Sequence, residues 1–111
     1  MSIASDLIRG HTDTIILALL SSKDNYGYEI NKSILHKTDG KYELKEATLY
    51  TAFRRLETAG CIESYWGNEQ TGARRRYYSI TELGRDTHRA LLEDWQEAKR
   101  MIDCIINTED V

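Results

Sequence analysis

Apolar residues recur along this chain with two different periods, and the change of period divides it. Over residues 6–21, Leu7, Ile8, Ile15, Ile16, Ala18, Leu19 and Leu20 fall at helical spacing with a broad apolar face. Gly10 inside that segment costs a helix about 1 kcal/mol against alanine, so a close packing partner is expected there. A second helix is expected over residues 28–37, with Ile30 and Ile34 one turn apart and Leu35 beside them. The polar run Thr38-Asp39-Gly40-Lys41 ends it. The third helix, residues 46–59, is the clearest, because Leu49, Ala52, Phe53 and Leu56 follow i, i+3, i+4, i+7. Gly60 supplies its stop. Opposite the stripe lie Ala47, Tyr50, Thr51, Arg54, Arg55 and Thr58. Lys45 is a poor N-cap for this helix, whereas Glu46 in the first turn suits the helix dipole.

The period then shortens. Residues 62–66 and 76–80 are rich in β-branched and aromatic side chains, and the turn-forming residues 67–72 separate them, so a β-hairpin with a long tip is expected. Thr81 is a sound N-cap for a last helix running to about residue 107. Within it Leu91, Trp95, Ala98, Ile102 and Ile105 repeat at 4, 3, 4, 3, the spacing of a coiled-coil seam. The order is helix, helix, helix, hairpin, long helix. The expected class is mainly α with a small β-hairpin wing.

Composition bounds this picture. A chain of 111 residues with 41% apolar and 30% charged side chains is one globular domain. No apolar run approaches the roughly 20 residues that span a bilayer, and the longest, residues 15–20, has no basic segment ahead of it to suggest a leader. Cys61 and Cys104 are too few for a disulfide framework and fit a reducing compartment. A soluble cytoplasmic protein is expected, with no membrane partner. The net charge of −3 disfavours a protein that coats nucleic acid by bulk charge. The charge is uneven, however: residues 1–81 carry eleven basic and ten acidic side chains, and residues 82–111 four and eight. A local basic patch is therefore compatible with the total.

Three helices closed by a two-stranded hairpin are the parts of a winged helix-turn-helix, in which the third helix enters the major groove and the hairpin tip lies along the backbone. The outward face of the third helix suits that task. Thr48 and Thr51 can bond phosphate or base edges, Tyr50 offers a hydroxyl and a flat ring, and Arg54 and Arg55 supply charge. The competing reading is an ordinary solvated surface. Arg74, Arg75 and Arg76 form the one dense basic cluster. They suit either a phosphate partner or a charged edge that discourages sheet aggregation. Strand alternation sends Arg74 and Arg76 one way and Arg75 the other. Trp95 sits mid-seam, either as core or, paired with its copy across a two-fold axis, as one wall of a slot for a flat aromatic compound. His11, His36 and His88 are scattered, neither cysteine has a histidine at metal-ligand spacing, and no phosphate loop or nucleophile elbow occurs. Neither an enzyme nor a metal or cofactor is expected. Cys61 reads as a small core residue in preference to a redox sensor.

Several motifs in order resemble one family. Ile16-Leu17-Ala18-Leu19-Leu20, Tyr26-Gly27-Tyr28-Glu29-Ile30, Ala47-Thr48-Leu49-Tyr50 and Arg54-Arg55-Leu56-Glu57 with Gly60 are followed by Arg74-Arg75-Arg76-Tyr77-Tyr78 and Thr81-Glu82-Leu83-Gly84-Arg85. Over residues 7–106 this set resembles the PadR-type transcriptional regulators. Glu93-Asp94-Trp95 and Ser64-Tyr65-Trp66-Gly67 look like the compact multidrug-sensing members. The resemblance implies a homodimeric repressor of a double-stranded DNA operator, a winged helix over residues 1–81, and a dimerisation helix over residues 82–111. It also implies a central pore for planar, often cationic compounds, here walled by Trp95, Leu7, Gly10, Thr14 and Leu91. Two positions depart from the pattern: Lys99 replaces an acidic residue, and Lys45 replaces a better cap. Two alternatives stand beside this reading, a PadR-type regulator with no drug ligand and a winged-helix protein-interaction module.

Overall fold

Phe53 and Tyr78 stack with ring centroids 3.9 Å apart and planes 14° from parallel, and the core is assembled around that pair. The computed structural model describes residues 3–69 and 72–107. Its elements are α1 (Ile3–Gly10), α2 (Thr12–Ser22), β1 (Asn25–Tyr26), α3 (Gly27–Lys37), α4 (Glu46–Thr58), β2 (Ile62–Trp66), β3 (Arg76–Ile80) and α5 (Glu82–Ile106). The expected third helix is thus α4, and its stripe Leu49, Ala52, Phe53 and Leu56 is buried in full. Ile16, Leu17 and Leu20 of α2, Ile30 and Ile34 of α3, Leu44, Cys61 and Ile62 complete the core. Cys61 is accordingly a core residue, with its thiol facing the Thr87 hydroxyl.

Two expectations are corrected. The first segment is not one helix over residues 6–21 but two, broken at His11. In a continuous helix the Leu7 carbonyl would accept from the His11 backbone N–H. Here the imidazole Nδ1 donates to it at 2.7 Å, and the His11 N–H turns back to Ile8 O. The Thr12 hydroxyl then takes the Arg9 carbonyl at 2.7 Å. Side chains thus satisfy the groups that a helix break exposes. The second correction is β1, which adds to β3 antiparallel and makes a three-stranded sheet of order β1-β3-β2. The hairpin itself pairs as expected, from Ile62 opposite Ile80 to Trp66 opposite Arg76. Residues 70 and 71 of the expected tip lie outside the described residues.

Backbone bonds and close packing fix α4 relative to the sheet and to α5. Gly60, at φ +81°, ends α4: its N–H reaches Glu57 O and the Cys61 N–H reaches Leu56 O, the two bonds of a Schellman cap. Thr81 donates its hydroxyl to Gly60 O and accepts from the Gly84 N–H, so one side chain closes α4 and opens α5. Gly84 is buried against the Cys61 carbonyl, with which a Cβ would collide. Beyond that junction α5 buries nothing else completely, and α1 buries no residue at all. Gly84→Ala is therefore expected to destabilise the fold by about 1–3 kcal/mol through overpacking against backbone. A urea-unfolding midpoint unchanged from wild type would show that the junction yields.

Candidate nucleic-acid interface

With one side of α4 committed to the core, the helical period assigns the rest. Ala47, Thr51, Arg54 and Thr58 are exposed, and Ala47, Thr48, Thr51 and Arg55 border a cleft with Thr12 of α2. Tyr50 turns toward α3, where its ring lies edge-on to Phe53 and its hydroxyl fits against Gly27; a Cβ on Gly27 would stand 2.6 Å from that oxygen. Among the described residues the Arg54 side chain makes no ion pair or hydrogen bond. Arg55 differs. Its Nε donates to Asp13 Oδ2 at 3.2 Å and its Nη2 to Asp13 Oδ1, a bidentate pair from α4 to α2 that raises the guanidinium pKa.

The wing separates its three arginines as strand alternation requires. Arg74 and Arg76 lie over the exposed Trp66 ring at 5.6 and 5.9 Å. Arg76 also donates to Ser64 Oγ at 2.8 Å and stands 3.7 Å from Glu57, whose carboxylate accepts from the same Ser64 hydroxyl. This Glu57–Ser64–Arg76 chain ties α4 to the wing. Arg75 lies on the opposite face, over Tyr26 at 4.9 Å and 3.7 Å from Glu69. There Tyr77 stacks on Tyr65, and the Tyr65 hydroxyl donates to Asp24 at 2.6 Å, which pushes its pKa up to about 12. The arrangement can present cations from a helix and an adjoining hairpin to one polyanion.

A family model described as the transcriptional regulator PadR-like family matches residues 16–90. The chain belongs to this family. Membership makes it a DNA-binding regulator of transcription and not an enzyme. A transcriptional regulator from Clostridium thermocellum is 49% identical and superposes with a TM-score of 0.86, covering 96% of this chain and 100% of that one. A PadR family transcription regulator from Clostridium difficile is 35% identical, with a TM-score of 0.74 over 87% of this chain and 99% of that one. A protein of Lysinibacillus sphaericus is 48% identical over 101 residues, spanning 91% of this chain and 93% of the relative. No helix among the described residues is long and apolar enough to cross a membrane.

This PadR-like chain carries a second concave region at Trp95, which is half-buried and meets the His11 ring edge-on at 4.9 Å. Two open clefts of about 510 and 220 Å³ meet there. Gly10, Thr14, Leu91 and Trp95 line the larger, and Leu7, Thr14 and Trp95 the smaller, so all five residues expected at a ligand wall border one or the other. Nothing in the hydrophobic pattern marks His11 as a neighbour of Trp95. Nor does that pattern mark Asp13, Glu57 and Glu69, the carboxylates that face Arg55, Arg76 and Arg75. The near balance of acids and bases in residues 1–81 was the one hint of such pairing.

Glu69 also holds the wing turn. Its carboxylate accepts from the Arg75 N–H at 3.0 Å and the Tyr77 hydroxyl at 3.1 Å, and a Cβ on Gly67 would occupy its place. The Arg75 backbone bond is the main reason its pKa lies below the ordinary 4.5. A lowered carboxyl pKa stabilises the fold fully above the unfolded value and loses that effect as pH falls through the folded value. The wing turn is thus expected to loosen below about pH 4.5, read as faster amide exchange at Gly67 and Arg75. Glu69→Gln should remove this acid-dependent step, and a step persisting in that variant would assign it to another group.

Proposed function

We propose that the protein is a cytoplasmic homodimeric repressor that reads an operator through α4, steadies itself on the phosphates through the wing, and releases DNA when a planar aromatic compound occupies the region around Trp95. One observation carries the DNA part. Thr51 and Arg54 stand exposed on α4 beside a wing that offers Arg74 and Arg76 on the side tied to that helix. Thr48, Tyr50 and Arg55 flank the reading face, and Arg75 adds charge from the far side of the wing. Residues 1–81 form the reading unit and residues 82–111 the dimerisation unit, whose described helix is α5. The exposed apolar side chains of the terminal helices support a second copy of this chain as partner. Ile3 of α1 is 79% exposed, and Ile105 and Ile106 of α5 are 74% and 69% exposed. Covering such surface stabilises by about 25 cal/mol per Å². The clefts on either side of Trp95 support a ligand over a simple core role for the indole.

Arg54→Ala is expected to cost about 1–3 kcal/mol on an operator selected from a random-sequence library and to relax its sequence preference. Arg74→Ala should weaken all duplexes alike and flatten the salt dependence. Half-sites should lie about 34 Å apart, one helical turn. Equal losses on selected and random duplexes for Arg54→Ala, in fluorescence anisotropy, would remove that residue from base reading. No salt-dependent binding to any duplex would favour the protein-interaction reading instead.

Ile102→Asp should dissociate or unfold the dimer, and a well-folded wild-type monomer at micromolar concentration in light scattering would refute dimerisation. In a Trp66→Phe background, planar dyes should quench Trp95 emission. Unchanged emission across a dye panel would leave Trp95 as a packing residue.

A further inference from the structure

The contact between Asp13 and Arg55 joins α4 to α2. Arg55 follows Thr48 and Thr51 at helical spacing, and these three side chains share a cleft with Arg9, Thr12 and Ala47. From α4 a phosphate entering that cleft would meet the Thr48 and Thr51 hydroxyls and the Arg55 guanidinium, and across it Thr12 and Arg9, the latter paired with Asp6. The Arg55 guanidinium is already engaged by both oxygens of Asp13. The pair is not a buried strut, because the Arg55 side chain is 54% exposed and that of Asp13 33%. Solvent screening keeps even a bidentate pair at this exposure to about 1 kcal/mol, or about fivefold in affinity, within the reach of a competing phosphate. Asp13 therefore resembles a built-in substitute for a phosphate, strong enough to occupy Arg55 and weak enough to yield to a better-placed anion. Arg54, one residue earlier on the same helix, has no such partner among the described residues.

We propose that Asp13 is a positioning residue for DNA recognition: it holds Arg55 away from the phosphates of arbitrary sequence and gives it up where the operator presents an anion in register. The inference rests on the reading of α4 as the DNA-facing helix. Its consequence is a protein whose sequence-independent affinity is kept low by one of its own carboxylates. Counterion release is the main source of that affinity, so each withheld cation lowers it directly.

The test uses the full-length protein and a 30-base-pair duplex of random sequence, which requires no knowledge of the operator. Asp13→Asn should bind this duplex about two- to fivefold more tightly, the scale of one exposed ion pair. The slope of log affinity against log salt should steepen by about 0.9, one additional phosphate contact. Asp13→Glu should keep the wild-type slope, and the double variant Asp13→Asn/Arg55→Ala should lose the gain. A contact that merely braced α2 against α4 would lower the unfolding midpoint without steepening the slope. Should Asp13→Asn fold poorly, Asp13→Ser removes the same charge and is read in the same way. Wild-type binding that responds to salt, together with unchanged affinity and slope in the folded Asp13 variants, would overturn the inference and leave the DNA reading intact. Absence of salt-dependent binding in the wild type would overturn both.

Discussion

The stacking of Phe53 on Tyr78 is the contact on which the rest of the molecule depends, because there α4 and the wing share one core. Burying one side of α4 leaves its opposite side nowhere to go but solvent. The orientation of Thr51 and Arg54 is thus a consequence of packing that neither residue makes. The Schellman cap at Gly60 and the Glu57–Ser64–Arg76 chain add a second and third attachment at the other end of α4. With attachments along its length, the helix and hairpin behave as one body. Such a body can present two sets of cations to one duplex without an ordering cost at the moment of binding.

Charge follows from the same frame. A protein of net charge −3 that acts on DNA must concentrate its cations locally. Here the concentration is moderated by carboxylates supplied from neighbouring elements: α2 answers Arg55, α4 answers Arg76, and the wing turn answers Arg75. These acids do more than cancel charge. Each also fixes the direction of a long flexible side chain and so limits its rotamer freedom.

What could be read from the sequence and what could not divide along a physical line. The stripe of α4 and the register-bearing runs of β2 and β3 are local signals, and each appears where its period places it. Strand β1 has two residues and exists because β3 offers an edge to it, so no periodicity was available to betray it. At the break an imidazole takes the place of a backbone donor, which a hydrophobic pattern does not register. Arg54 and Arg55 are adjacent and chemically identical in the sequence. Their difference comes from Asp13, a partner in a separate helix. The alternation of Arg74, Arg75 and Arg76 was legible, whereas the aromatic and acidic neighbours that give each face its character were not.

The same break shapes the surroundings of Trp95. A core aromatic such as Phe53 is surrounded by apolar side chains and retains 1% of its surface. Trp95 instead remains half-buried, with an imidazole edge against its ring and open clefts beside it. The imidazole is fixed because its Nδ1 is committed to the Leu7 carbonyl, and it is available for that bond because the helix ends at Gly10. The energetic cost of interrupting a helix is thereby offset by a bond that holds the indole in place from one side. An uninterrupted helix would give the Leu7 carbonyl to the His11 N–H and leave the imidazole with no fixed direction. Gly10, the last residue of α1, borders the larger cleft with open space where a Cβ would stand, in place of the close packing partner expected there.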